Sequence, residues 1–383
     1  MIYLVVILFL SIFAAANIFI GLRGLDILRH FMPTISIYIY WALFASIALS
    51  MFIGRAGRGY LPAALDRVFN IIGGYWLAAL VYFLIGAMLF GVVNIVIRLF
   101  KIKSYYRGNT DIHLILNLAA IFIIILLLAY GTYNAGHSKV INYEINIDKK
   151  AGALKELNIV TVSDIHLGSL IGKGRLDKMV SEINKLNPDI VFLAGDIIDD
   201  DIEPFINNNM GESFRRIKSK YGVYGVLGNH DYFGGSIEKV EKAYKEANIN
   251  ILRDKMVKVS DSFYVVGRED ASAGRVIGGK RKEVSVITKD ADKSLPLILL
   301  DHQPVKLEET KKAEVDLQFS GHTHKGQFFP AGLVTERVFK IDWGYLKEDN
   351  FNVIVSSGYG TWGPPIRVGS NSEIVRTIVK FSK

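Results

Sequence analysis

The chain has 383 residues, half of them apolar and only 21% charged, which excludes a disordered or solvating chain; its 35 glycines show no triplet period, which excludes a collagen-like one. There is no cysteine, so disulfide frameworks, thiolate metal sites, iron–sulfur clusters and cysteine nucleophiles are all removed. The net charge of +8 is uneven: residues 1–137 carry nine Lys/Arg against three Asp/Glu, and the rest 36 against 34, so the basic excess flanks apolar segments rather than forming the patch of a nucleic-acid binder.

Four stretches, 1–22, 34–54, 71–97 and 114–136, contain no charged residue, and each exceeds the roughly 18 apolar residues that predict a transmembrane helix. They define an anchor of four spans over 1–136. The first lacks a basic leader and runs into three more, so it reads as a retained span rather than a signal peptide. Tyr75, Trp76, Tyr130 and Tyr133 lie near span ends, as an interfacial belt would. Asn17, Asn94 and Asn117 suit helix–helix hydrogen bonds. No acid or base lies mid-span, which argues against an ion relay or transport path. An even number of spans leaves the amino terminus and the following domain on one side of a cell membrane. Arg23, Arg29, Arg98, Lys101, Lys103 and Arg107 would then face one way and Arg55, Arg58 and Arg67 the other, which favours an external domain; Lys139, Lys149 and Lys150 pull against it.

From residue 137 to 383 the text becomes a globular α/β pattern. Strands are predicted at 140–147, 158–163, 190–194, 222–227, 256–260, 263–266, 297–300, 317–320 and 353–356, and helices at 176–186, 205–218 and 236–247. Strands alternating with helices predict a layered α/β core.

Five of these strands end in polar clusters. They are Asp164-Ile165-His166, Gly195-Asp196, Gly228-Asn229-His230-Asp231, Asp301-His302 and Gly321-His322-Thr323-His324. Five of the eight histidines therefore sit at strand ends beside carboxylates and an amide, whereas His30, His113 and His137 lie in or next to the apolar half. Imidazole, carboxylate and amide oxygen without thiolate suit manganese, iron, zinc or cobalt. So many ligands exceed one tetrahedral ion, and a shared carboxylate would hold two divalent ions side by side.

The ordered blocks D-x-H, G-D, G-N-H-D, H and G-H-x-H resemble the signature of the calcineurin-like metallophosphoesterases. The text around Ser163–Gly168, Asn187-Pro188-Asp189, Gly326-Gln327 and Gly360-Thr361-Trp362-Gly363-Pro364-Pro365-Ile366-Arg367 is similar to a membrane-anchored branch of that superfamily. The resemblance covers about residues 140–383 and implies an α/β/β/α sandwich holding two metal ions. It implies that Asp164, His166 and His324 bind the first ion, that Asp196 bridges, and that Asn229, His302 and His322 bind the second. It implies that His230 protonates the leaving oxygen and that Asp231 orients it. Two departures stand out: Lys325 follows His324, where it could touch an anionic substrate, and Asp301 precedes His302, where it could support a ligand histidine.

The implied activity is hydrolysis of a phosphodiester, pyrophosphate or phosphomonoester bond by metal-activated water at a bilayer. The substrate would be a lipid-linked or cell-envelope phosphate; some relatives of the branch are similar to UDP-diacylglucosamine pyrophosphohydrolases. The alternative is a non-catalytic, metal-binding membrane scaffold that keeps the fold.

Overall fold

The computed structural model describes residues 2–57, 60–100, 110–276, 278 and 280–382. The chain divides into two units, Met1–Thr132 with Gly363–Ile366, and Tyr133–Trp362 with Arg367–Lys383. Arg58, Lys101, Lys103 and Arg107, counted above among the loop cations, lie outside the described residues.

The first unit is built of α1 (Ile2–Phe31), α2 (Ile37–Ala48), α3 (Ser50–Gly57), α4 (Ala63–Leu99) and α5 (Thr110–Gly136). Three segments are long and apolar enough to cross a membrane, Val6–Phe31, Ala64–Leu99 and Asp111–Gly136. The expected span at 34–54 is instead a pair, α2 and α3, bent by 57°, and it makes a fourth crossing if the two count as one. At the break the Ser50 hydroxyl donates to the Ile47 carbonyl at 2.6 Å, a back-bond of the kind that bends helices. Large apolar side chains such as Leu4, Leu43, Met88 and Phe122 point outward, the inverse of a water-soluble bundle. Asn17 accepts from the Trp76 indole at 2.9 Å, which links α1 to α4, whereas Asn94 donates to Phe90 O within its own helix. Trp76 thus lies inside α4, away from its ends.

The second unit holds twelve strands: β1 (Lys139–Ile147), β2 (Glu156–Val162), β3 (Ile190–Ala194), β4 (Val223–Val226), β5 (Ile249–Ile251), β6 (Lys255–Val259), β7 (Phe263–Gly267), β8 (Leu297–Leu300), β9 (Leu317–Ser320), β10 (Gly344–Glu348), β11 (Phe351–Val355) and β12 (Glu373–Phe381). They form two six-stranded sheets, β1-β12-β2-β3-β4-β5 and β10-β11-β9-β8-β7-β6.

Alternation along each strand explains the layering. In β3, Ile190 and Phe192 face the core between the sheets, while Val191 and Leu193 face a second core covered by the helices Lys173–Lys185 and Ile237–Glu246. In β8, Ile298 and Leu300 face the inter-sheet core, and Leu299 faces a third core beneath Val284–Ile287 and Leu307–Lys312. Strands buried on both faces tend to be apolar throughout, which is why 190–194 and 297–300 stand out in the sequence; 317–320 is equally buried but carries Gln318 and Ser320. The result is the helix–sheet–sheet–helix sandwich that the resemblance implied.

Some elements differ from the expectation. The helix expected over 205–218 is two short helices, Glu203–Asn207 and Gly211–Arg215, parted by Asn209 in the left-handed region (φ 51°). Strands β5, β10 and β12 and the helix Gly332–Val338 have no counterpart among the predicted elements.

Candidate metal centre

Strands β2 to β5 run parallel, as do β7, β8, β9 and β11. Parallel strands deliver their carboxyl ends to a common edge, where α/β proteins build sites. At these edges the backbone is forced into unusual shapes. Asp164, His166, Asp196, His322 and His324 all have positive φ, between 50° and 71°. Non-glycine residues rarely adopt that region, and its concentration in five candidate ligands marks a functional edge. Two glycines make room for them. A Cβ at Gly321 would collide with Ser163 Oγ and Asp164 Oδ2, and one at Gly228 with Asp196 Oδ1.

Three groups of ligand atoms converge, each with its atoms within 4.8 Å of one another; one of them is His166, Asp199 and His230. The two made wholly of expected ligands are Asp164, His166 and His324, and Asp196, His302 and His322. Asp196 links them. Its Oδ1 accepts from the His230 amide at 2.8 Å, which leaves Oδ2 facing His302 Nε2 at 3.2 Å and His166 Nε2 at 3.8 Å.

In His302 and His166 the Nδ1 atom faces an acceptor, which turns the Nε2 lone pair inward. His302 Nδ1 lies 2.8 Å from Ala194 O and must donate there, which frees Nε2; that atom is buried without a hydrogen-bond partner. His166 Nδ1 lies 3.3 Å from Asp199, and its Nε2 faces His324 Nε2 at 3.1 Å. Two imidazole nitrogens aimed at each other are repulsive unless a proton or cation sits between them. Asn229 Oδ1 is likewise buried with no hydrogen-bond partner. Orphaned acceptors of this kind, in a donor set of imidazole, carboxylate and amide, fit two borderline divalent cations.

Electrostatics follow from the burial. Burial works to raise the Asp196 pKa, but His302, His230 and His166 outweigh it and hold the carboxylate well below its usual range. Burial and the neighbouring His302 lower His322, and burial, His166 and Arg367 lower His324, so both imidazoles are neutral, the form a metal requires. His230 behaves oppositely. Burial would lower it, but the Asp200 hydrogen bond and the charges of Asp196, Asp199 and Asp200 raise it to about 9.

Three residues sit differently from the expectation. Asp231 does not orient His230. It is fully buried and accepts from the amides of Gly228 (2.8 Å), Ile197 (3.1 Å) and Ile198 (3.2 Å) and from Tyr244 Oη (2.6 Å), so it ties the ends of β3 and β4 together. The partner of His230 is Asp200, whose Oδ1 lies 2.7 Å from Nδ1. Asp301 faces away from His302 and pairs with Arg281 at 2.9 Å and Arg268 at 3.4 Å. Lys325 lays its ammonium on the Trp343 ring, 3.8 Å from the centroid. Sequence reasoning missed Asp199 and Asp200; the one available signal was a run of acids four residues beyond Gly195. Arg367, from the late motif, is wholly buried and donates to Ser357 O and Gly360 O at 2.7 Å, and its Nη2 lies 3.3 Å from His324 Nδ1. It pins the turn behind that histidine.

The sequence profile of the calcineurin-like phosphoesterases matches residues 157–326. A Danio rerio protein named as a transmembrane protein with metallophosphoesterase domain is 31% identical over 272 residues, which are 68% of this chain and 62% of that protein. The chain thus spans less than two thirds of that relative's length. An uncharacterized metallophosphoesterase of Campylobacter jejuni is 29% identical over 98% of this chain and 97% of its own. One from Aquifex aeolicus is 32% identical over 68% of this chain and 98% of its own.

Proposed function

Because the chain belongs to the calcineurin-like phosphoesterases, we propose that it is a membrane-anchored, dimetal phosphoesterase. The observation that carries this reading is the pair of three-residue ligand groups linked through a single oxygen of Asp196. In it, Asp164, His166 and His324 would hold one cation, Asn229, His302 and His322 would hold the other, and Asp196 would contribute to both. The cations, when bound, supply Lewis acidity toward the phosphoryl oxygens and the attacking water. The chain's own part is positional and protonic. The Asp196 amide contact fixes which oxygen faces the ions, and the Gly228 and Gly321 turns keep the carboxylates in place. His230, protonated and held by Asp200 through Nδ1, offers Nε2–H to the departing oxygen. The residues 1–136 anchor the domain 137–383 in a cell membrane as a multi-pass protein, with the domain on the external face. Confinement to a bilayer favours a phosphate ester carried by a lipid or by the cell envelope.

The test is hydrolysis of bis-p-nitrophenyl phosphate by the detergent-solubilised full chain. Chelation should abolish it, and Mn²⁺ should restore it better than Mg²⁺, since imidazole prefers the softer ion. Full activity with excess chelator would sink the proposal.

A further inference from the structure

If His230 hands its proton to the departing oxygen, whatever lines the space beside its ring also lines the leaving group. Two large apolar side chains do so. The Trp362 ring lies 5.9 Å from that of His230 at 61°, and the Phe233 ring 6.3 Å away at 82°. Both face outward, Trp362 47% and Phe233 55% exposed, whereas Phe192, Phe214, Phe263 and Phe319 of the same unit are buried. Leaving apolar area in water forgoes roughly 25 cal/mol per Å². Exposed rings beside a polar, ligand-rich centre are the composition of a binding site: apolar walls around a few convergent polar groups.

Neither ring is loosely attached. Gln327, buried, clamps both main-chain groups of Trp362: Nε2 donates to Trp362 O at 3.0 Å, and Oε1 accepts from Trp362 N at 2.8 Å. Gln327 is three residues beyond His324, so the indole is fastened to the loop that carries a ligand histidine. Phe233 closes the short turn Asp231–Phe233, and its amide donates to His230 O at 3.0 Å. The backbone that carries each ring is therefore held relative to the group it would serve, so side-chain rotamer freedom is what a ligand would still have to order.

Resting on the reading of His230 given above, we propose that Trp362 and Phe233 form a leaving-group subsite. It selects phosphate esters whose leaving alcohol carries an apolar chain or ring over esters of small polar alcohols. The step itself is unchanged: water attacks phosphorus, the P–O bond to the alcohol breaks, and the oxygen takes the His230 proton. The subsite acts on the non-reacting body of the alcohol.

The test is calorimetric binding of methyl-, octyl-, benzyl- and cyclohexylmethylphosphonate to the manganese-loaded full chain in one detergent, compared with Trp362→Ala and Phe233→Ala. Each protein is read by its own octyl-to-methyl affinity ratio. About a tenfold ratio is expected for the unmodified chain, a small part of the ~0.8 kcal/mol per methylene that full burial would provide. It should fall below about threefold in either variant, while Trp362→Phe, which keeps a ring, retains most of it. Benzyl binding tighter than cyclohexylmethyl supports the subsite and assigns it a flat ligand; equal affinities well above that of methylphosphonate support it and assign an acyl-like chain. A ratio near one in the unmodified chain, or an unchanged ratio in both alanine variants, overturns the subsite alone. Absence of any phosphonate binding together with absence of bound metal overturns the metal centre and the subsite with it.

Discussion

The two sheets contribute unlike chemistry to one edge. The first sheet brings Asp164, His166, Asp196, Asn229 and His230; the second brings His302, His322 and His324. Within the two ligand groups every carboxylate comes from the first sheet. The second sheet's strand-end acid, Asp301, is taken up by Arg268 and Arg281. Neither sheet alone could both neutralise and enclose two cations. The inter-sheet core, where Phe192 meets Phe319 at 5.7 Å between ring centroids, is thus part of the site's construction: each ring lies a few residues before a ligand.

The sharpest way to break this asymmetry is Asp196→Asn, which removes the first-sheet carboxylate that faces a histidine of each ligand group, His302 and His166. Loss of both ions and a rate defect beyond the ~10⁴-fold ceiling of proton-transfer help are expected. Metal analysis of the purified variant checks it, and two retained ions would refute the bridge. His230→Ala should keep both ions and lose roughly 10²–10⁴-fold in rate, with the smallest defect for nitrophenyl esters, whose leaving groups need little protonation. A leaving-group series measured alongside metal content separates this from a ligand role. Asp200→Asn keeps the shape and weakens the hold on His230. A loss of about 10–100-fold, the range for partners of site histidines, should appear in kcat with KM little changed. Lys325→Ala, on the second sheet, should stay within about twofold in kcat/KM, because its ammonium is engaged with Trp343 rather than with the site.

Several candidate ligands were legible because they follow strands buried on both faces that read as apolar runs ending abruptly in polar residues. Asp164, Asp196 and His302 could be placed that way. Strand β12 could not. Its Glu, Arg and Lys interrupt the pattern, and its partners β1 and β2 lie more than 200 residues earlier in the chain, a pairing that no local signal carries. Asp200 was hidden for a different reason. Asp199-Asp200-Asp201 reads as a solvated acidic loop, and only the turn after β3 brings Asp200, with Asp199 beside it, to His230. The bent pair α2 and α3 was read as one span because hydropathy measures composition and is blind to a hydroxyl back-bonding to a carbonyl.

The strand order of the first sheet also governs how the molecule is made. β12 is inserted between β1 and β2, in parallel register with the former from Lys139↔Glu373 to Ile147↔Phe381 and antiparallel to the latter. Every ligand-bearing turn leaves the ribosome before residues 373–381 do, yet the sheet carrying the carboxylates stays split until that strand slots in. During synthesis β1 and β2 wait as two open edges, each a template for mispairing with another nascent chain. A stop codon shortly before residue 373 would therefore leave an intact signature on a protein with no closed first sheet, and such a product should accumulate as aggregate rather than as a weak enzyme.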